Sequence, residues 1–320
     1  SAAATAIKVS GKVIDPSKVT KEDVIGAVDP STGAETGAQV IRQVYPRLGI
    51  VPGLILAPGW SQIPEVGLAL AAKAAKINGV YSAMALLDLD TAKAKKYTDT
   101  KSVKEESGYT SPFCYPLWPC DRVGEYILAK SAVAGPMIQY MASDNEDVPN
   151  QSPSNHLLGV GGQCLEDGTE VYLDQDQANT VNGYGVTTAI NQNGYRLWGN
   201  YTGAYPASSD AKDIWFAVRR MFSWQGNNFI QTYFDEVDDP MNNVLVQSVV
   251  DSENIRCSAY APKYWAGASI EYKSDDNPKT AILAGTMKFR QHIAPYTPAQ
   301  EIVDIIDYDT DTLAAAVGGN

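Results

Sequence analysis

Residues 52–59 read PGLILAPG, a three-residue apolar run between a Pro-Gly pair and an Ala-Pro-Gly turn. A short, wholly apolar run bounded by turn formers is typical of a strand that is buried on both faces. Pro64 then opens an Ala- and Leu-rich segment that predicts a helix from Glu65 to Ile77, and Asn78-Gly79 ends it. A strand followed at once by a helix predicts the first half of a βαβ unit.

The same alternation continues on both sides of this unit. Apolar runs at 80–89 and 113–118 predict further strands. Helical spacing or composition predicts helices at 35–48, 91–106 and 124–142, the last interrupted by Gly135-Pro136. Strands that alternate with helices indicate an α/β fold. We therefore expect a doubly wound domain with a mixed or parallel sheet over residues 31–190.

The pattern changes near residue 191, where an aromatic-rich segment begins. Residues 191–298 predict an α+β domain, with helices at 210–234 and 241–257 and strands at 268–272 and 282–293. Residues 299–320 predict a C-terminal arm containing a strand, Glu301–Tyr308, uncoupled from the body by Pro295 and Pro298. Residues 1–30 are expected to be the end of an upstream region or inserted domain, with a short strand at Ile7–Val9.

Charge and composition exclude several classes of partner. The 37 acidic and 25 basic residues give a formal net charge of −12, which argues against a nucleic-acid binder. The longest uncharged stretch, 48–64, is broken by prolines and glycines, so no membrane insertion is expected. The chain has four cysteines without a CxxC pair and two histidines, so neither a metal nor another cofactor is predicted.

A search for catalytic motifs finds little. The nearest approach to a dinucleotide fingerprint, residues 159–164, ends in cysteine, and neither a P-loop nor a GxSxG motif is present. His156 lies among turn formers, and Asp88 and Asp90 lie at a predicted strand end. The chain is therefore predicted not to be an enzyme. The alternatives are an α/β hydrolase that uses Asp88 and His156, or a small-molecule-binding module at the strand ends.

Two further sets of residues have a structural interpretation. The lysines near residue 100 are predicted to form the solvated face of a helix, and the tryptophans are predicted to lie in the core rather than to stack on sugars or bases. The lysines are Lys93, Lys95, Lys96, Lys101 and Lys104, and the tryptophans are Trp198, Trp215, Trp224 and Trp265.

Six short motifs, in order along residues 40–310, resemble the contractile tail sheath family of phages and R-type bacteriocins. Each is weak alone, and their order makes the resemblance specific. They are PGLILAPG at 52–59, SPSN at 152–155 with Gly159-Val160 after it, NGYGVTT at 182–188, GYRLWGN at 194–200, Val218-Arg219-Arg220, and Tyr296-Thr297-Pro298-Ala299 with the strand after it. One departure is Tyr201, where the family usually has an arginine after Trp-Gly-Asn.

The resemblance implies a core domain like that of subtilisin without the catalytic residues, followed by a C-terminal sheath domain that lies against an inner tube. It also implies that the first strand is interior to the family's sequence, so that an N-terminal arm precedes it. Such subunits polymerise helically around the tube and contract to drive it through a host envelope. Implied partners are other copies of the chain, the inner tail tube protein, and baseplate and tail terminator proteins. The expected location is the virion tail, assembled in the bacterial cytoplasm from a phage or prophage.

The resemblance also points to particular residues. The C-terminal strand of one subunit is expected to complete a sheet of the next by strand addition. In this chain that strand consists of Glu301, Ile302, Val303, Asp304, Ile305, Ile306, Asp307 and Tyr308. Arg219 and Arg220 are candidate tube-facing residues, and the alternative is an arginine pair that bridges carboxylates of the core.

Overall fold

The structure, a computed structural model, describes Gly11 and residues 15–318, so the strand expected at Ile7–Val9 lies outside the described residues. The strands are β1 (Leu54–Leu56), β2 (Met84–Asp88), β3 (Cys114–Leu117), β4 (Cys120–Val123), β5 (Tyr126–Leu128), β6 (Gly162–Cys164), β7 (Thr188–Asn191), β8 (Tyr195–Trp198), β9 (Trp265–Glu271) and β10 (Arg290–Pro295).

Helices connect and cover these strands. The α-helices are α1 (Lys21–Ile25), α2 (Val44–Leu48), α3 (Pro64–Ala75), α4 (Thr100–Ser107), α5 (Lys130–Ser143), α6 (Gln175–Gly183), α7 (Ala211–Ile214), α8 (Phe216–Thr232), α9 (Asn243–Ala259), α10 (Lys279–Leu283) and α11 (Thr310–Ala316). Short 3-10 helices are Pro16–Lys18, Gly37–Gln43, Tyr97–Asp99, Phe234–Glu236 and Ser274–Asp276.

A parallel sheet of β1, β2 and β3, in that order, forms the centre of the first half. One face packs on α3 in a core that includes Ile55 and Leu70, and the other packs on α5 through Leu86 and Ile138. Each such side chain contributes about 1.5–3 kcal/mol when fully buried. The helices on both faces explain the unbroken apolar runs and confirm the predicted mixed α/β class.

Smaller antiparallel sheets flank the central one. The strands β5, β4 and β6 form a three-stranded sheet, and β7 and β8 form a hairpin. This hairpin crosses the division predicted after residue 190. Its Leu197 lies in the same core as Met84 and Leu86, and Thr187 forms a parallel bridge to Leu117. The hairpin therefore packs with the first half of the chain.

The second half is built from α8, α9 and the antiparallel pair β9–β10. Met221, Cys257 and Trp265 form its core, and Trp224 packs edge-on against Trp265 at 6.1 Å between ring centroids. The core interpretation of the tryptophans thus holds for this pair. Outside this core, Trp215 stacks on a tyrosine at 4.7 Å, and half-buried Trp198 donates a hydrogen bond from Nε1 to Asn179.

The helix predicted at 91–106 is wrong over most of its length. Turns and a 3-10 helix occupy the first part, and α4 begins only at Thr100. The Asp99 carboxylate accepts a hydrogen bond from the Lys96 amide at 2.9 Å, which fixes this late start locally. Lys93, Lys95, Lys96 and Lys101 are exposed as expected, whereas Lys104 is buried.

Three other predicted elements differ from the structure. The segment 124–142 contains strand β5 before α5, and α5 continues through Pro136 because Gly135 packs directly on Leu56 and Leu86 of the sheet. The strand predicted at 282–293 begins only at Arg290, because α10 precedes it. The helix predicted at 35–48 is a 3-10 helix continued by α2. In the first case tertiary packing overrides the local pattern.

Candidate assembly surfaces

The root of the C-terminal arm is fixed to the body of the protein. The Tyr296 hydroxyl donates a hydrogen bond to the Pro262 carbonyl at 2.9 Å, and the Tyr201 hydroxyl donates one to Gln300 Oε1 at 2.6 Å. Tyr201 itself stacks on Tyr205 at 3.8 Å between ring centroids. The residue that departs from the family pattern thus contacts the start of the arm.

Beyond this root the arm is exposed and forms no strand within the single chain. Residues 301–309 have no regular secondary structure, and α11 follows them. The exposed fractions of the apolar side chains are 89% for Ile302, 67% for Val303, 79% for Ile305, 87% for Ile306 and 76% for Tyr308. Acidic residues occupy every third position among them, at Glu301, Asp304 and Asp307, and are also exposed. Pairing of Glu301–Tyr308 with another copy stays a prediction.

One edge of the β9–β10 sheet is open among the described residues. The Asn254 side chain accepts from the Ile270 amide and donates to its carbonyl, both at 3.0 Å, which covers the outer edge of β9. Ile270 and Gln291 are directly opposite each other in the two strands. Because the backbone groups of Ile270 point away from β10, those of Gln291 point away from β9. Ile293, two residues on, has the same orientation. The outer edge of β10 therefore carries free donors and acceptors.

The two arginines of α8 have different surroundings. Arg219 forms an ion pair with Asp213 at 3.0 Å, and its guanidinium lies 4.7 Å from the centroid of the Phe113 ring. Arg220 is 7% exposed and lines a cavity, without a hydrogen bond or ion pair to any described residue. Pairing with a carboxylate, the alternative to a tube-facing role, thus occurs at Arg219 and not at Arg220. A tube-facing role for either residue stays a prediction, and for Arg220 it requires a partner group that enters the cavity.

The residues of the hydrolase alternative are not joined into a catalytic pair. Asp88 is buried and accepts hydrogen bonds from the hydroxyls of Ser61 at 2.9 Å and Ser131 at 2.5 Å, and from the Ser131 amide. Burial raises its pKa. His156 is exposed, and its backbone carbonyl accepts from the Leu197 amide at 2.9 Å. Asp88 therefore joins β2, α5 and the loop before α3.

The part of the chain that the structure describes holds neither a metal-binding cluster nor a membrane-spanning helix. Within residues 15–318 no group of three or more His, Cys, Asp or Glu side chains is arranged to hold a metal ion. Over the same residues no helix is both long and apolar enough to cross a membrane.

Solved structures with the same fold are subunits of contractile injection systems. The chain superimposes on the sheath of an extracellular contractile injection system, the PVC sheath complex in its contracted state, with a TM-score of 0.67. The sequences are 18% identical, and the match covers 87% of this chain and 76% of the other. The anti-feeding prophage baseplate contains a chain with a TM-score of 0.64 and 17% identity, covering 94% of this chain and 83% of that one.

A curated relative is similar along nearly the whole sequence. The tail sheath protein of Burkholderia phage BcepMu is 26% identical over 338 residues, covering 99% of this chain and 68% of that protein. No family model matches the chain. These findings confirm the resemblance to contractile tail sheath proteins, and they do not favour a hydrolase or a small-molecule-binding module.

Sequence reasoning missed several contacts of these surfaces. The departure at Tyr201 was visible, yet its contact with Gln300 joins residues 99 positions apart. Asn254 lies within a predicted helix, where an asparagine gives no sign that it caps a strand edge. The isolation of Arg220 had no local signal, since its neighbour Arg219 has the same chemistry and a carboxylate partner.

Proposed function

We propose that this chain is a structural, non-enzymatic subunit of a contractile tail sheath. It polymerises helically around an inner tube and contracts to drive that tube through a host envelope. The observation that carries this proposal is the match of 99% of the chain to a protein named as a phage tail sheath protein. Fold similarity to a sheath in the contracted state supports it.

The fold suggests that the two halves of the chain form different domains. The central sheet with helices on both faces fits a subtilisin-like core domain, and α8, α9 and the β9–β10 pair fit a sheath domain. We place the division after β8 rather than at residue 190, because the β7–β8 hairpin packs on the central sheet. Residues 299–320 form the C-terminal arm, and α1 packs on α3 of the core domain.

We further propose that the arm links neighbouring copies by strand addition. Residues 301–308 pair with the outer edge of β10 in another copy, where Gln291 and Ile293 offer unpaired backbone groups. Exposed isoleucines on a segment without a partner are an aggregation risk unless they are covered in the assembly. Heterologous contacts of this kind generate open helical polymers.

The remaining partners follow from this role. The subunit binds other copies of itself along the sheath and a baseplate at one end, as the similarity to a baseplate chain suggests. It also contacts the inner tube protein and a tail terminator, and it is assembled in the bacterial cytoplasm into the tail of a virion or prophage particle. Contraction is a rigid-body rearrangement between two packings of one subunit, which needs no nucleotide.

Electron microscopy of the purified chain at high concentration tests the polymer and the arm together. The chain of residues 1–320 should form tubes of regular helical pitch. A variant that lacks 299–320 should stay monomeric and keep nearly the same thermal midpoint, because the deleted side chains that the structure describes are mostly exposed. A variant that lacks only 310–320, and so keeps the strand, is the matched control and should still assemble.

Two outcomes separate the parts of this proposal. Tubes from the variant without 299–320 would refute strand addition by the arm and leave the sheath function intact. Monodisperse particles from the chain of residues 1–320, alone and with an inner tube protein, would refute the polymer itself.

A further inference from the structure

A cavity of about 440 Å³ that opens to solvent lies beside α8. Its wall is formed by α8 together with the loop at 49–53 and the segment that follows α5. Polar side chains predominate in its lining, among them Gln139, Asp147, Ser223 and Asn227, and Ile50 lies at its edge with 61% of its surface exposed. Its volume is in the range of small-ligand sites.

Arg220 is the cationic group in this lining. Its side chain is more than nine-tenths buried, yet the guanidinium makes no hydrogen bond to a described residue and has no carboxylate at ion-pair distance. Burial lowers its pKa to about 10, a value at which it is still charged near neutral pH. The guanidinium lies 5.6 Å from the centroid of the Phe216 ring, and none of its nitrogens is both sealed from solvent and unpartnered. Its donors therefore face the open space of the cavity, where an acceptor can meet them.

Ser223 adds a second unpaired donor on the same wall. Its hydroxyl is buried without a hydrogen-bond partner, and the residue is 6% exposed. It follows Arg220 by three positions in α8, which places the two side chains on one face of the helix. Both residues line the cavity, but the Ser223 hydroxyl oxygen is sealed from its open space, so the guanidinium is the donor group that an incoming ligand meets first.

We propose that this cavity is a receptor for one carboxylate, which binds the Arg220 guanidinium. A planar carboxylate matches the guanidinium fork with two parallel hydrogen bonds. The carboxylate comes from the side chain of an aspartate or glutamate on a partner protein, or from a small organic acid in solution. The two sources share one chemistry, and the effect of a free carboxylate on tube formation distinguishes them.

Asp147 allows a second, independent test of the proposal. It lines the same cavity and is not paired with Arg220. A carboxylate there repels an incoming anion, so its removal should strengthen binding. Asp147 has a positive φ of 59°, which asparagine tolerates, and Asp147→Asn therefore keeps the backbone conformation.

Thermal unfolding in sodium glutarate, against sodium chloride of equal ionic strength, tests the receptor. The wild-type midpoint should rise by about 2–5 °C at saturation. Arg220→Met should abolish this rise, and Asp147→Asn should produce it at a several-fold lower glutarate concentration. Arg290→Gln, which removes an exposed arginine paired with Asp276, is the matched control for lost charge and should behave as wild type.

The direction of the Asp147→Asn effect keeps the test decisive if Arg220→Met fails to fold. Equal midpoints in glutarate and chloride for both wild type and Asp147→Asn would overturn the proposal, as would an undiminished rise in Arg220→Met. Where binding is found, glutarate that inhibits tube formation identifies a side chain of a partner subunit as the natural occupant. Unchanged tube formation identifies a free acid. Both results support the receptor, and the thermal shift that detects binding does not depend on the sheath role.

Discussion

Three cationic side chains lie in the described interior, and each meets a different environment. Lys130 is paired with the carboxylate of Asp121, and both side chains are fully buried. The Lys104 amine donates hydrogen bonds to the backbone carbonyls of Tyr184 at 2.9 Å and Tyr205 at 2.5 Å. Arg220 meets an open cavity. A buried charge needs a counter-charge or several dipoles, so the first two are structural and the third is free to bind.

Lys104 should make the stability of the protein depend on pH in the alkaline range. Burial lowers its pKa from 10.5 to about 8 in the folded state. Between these values the unfolded chain binds more protons than the folded one, so the free energy of unfolding rises with pH. The rise should reach about 3 kcal/mol across this window.

Urea unfolding at about pH 7.5 and about pH 10.5 measures this contribution when wild type is compared with Lys104→Met. The variant has no amine to titrate, so the difference between the two proteins isolates Lys104 from tyrosines and cysteines. The wild type should gain stability relative to the variant as pH rises. A constant difference would mean that the carbonyls of Tyr184 and Tyr205 fully compensate the burial of the charge.

At the scale of elements, the sequence predicted the central sheet well. The segments of β1, β2 and β3 are apolar and lie between turn formers, so a local pattern reports their burial on both faces. The β5 strand was missed because its three residues are all exposed, which removes the alternation on which a strand prediction depends. Continuation of α5 through Pro136 depends on contacts with the sheet, which no local pattern contains.

The candidate assembly surfaces were predicted unevenly for the same reason. The arm was recognisable because Pro295, Pro298 and the isoleucines after them are adjacent in sequence. Which edge of the pair is open depends on Asn254, which lies 36 positions before Arg290 and covers the edge of β9 through side-chain hydrogen bonds. Partners that are distant along the chain leave no periodic signal.

Two glycines within helices provide a matched test of element packing. A Cβ on Gly67 in α3 would lie 2.1 Å from the Tyr109 hydroxyl, which donates to the Ser61 carbonyl. A Cβ on Gly226 in α8 would meet open space. Gly67→Ala should therefore destabilise the protein by about 1–3 kcal/mol through overpacking. Gly226→Ala should stabilise it by up to about 1 kcal/mol, because alanine favours the helix.

Chemical denaturation of the two variants beside wild type decides this comparison. Equal effects of the two substitutions would show that Tyr109 moves aside at little cost. The Tyr109 hydroxyl would then not fix the distance between α3 and the segment that follows α4.

At the scale of the whole molecule, the described chain has an unpaired sheet edge and an unpaired apolar segment. The edge is the outer side of β10, and the segment is 301–308. The two are not paired with each other in the single chain, where Tyr201 and Tyr296 hold the root of the arm. Pairing between copies satisfies both, and repetition of that contact builds a polymer.

Substitution at Ile305 separates this backbone pairing from mere hydrophobic contact. The Ile305 amide makes no hydrogen bond among the described residues, and the side chain is 79% exposed. Ile305→Pro should therefore change the stability of the monomer by no more than about 0.5 kcal/mol. In a trans-paired strand the same change removes a donor or forces the edge apart, so tube formation should be lost.

Ile305→Val is the matched control, because it keeps the amide and the preference for strands while it shortens the side chain. It should still form tubes, at a somewhat higher protein concentration. Electron microscopy and sedimentation of the three proteins give the answer. Loss of tubes in both variants would mean that side-chain burial at position 305 drives assembly. Tubes of wild-type pitch from Ile305→Pro would mean that this residue makes no backbone contact between copies, so the link between subunits would have to lie elsewhere.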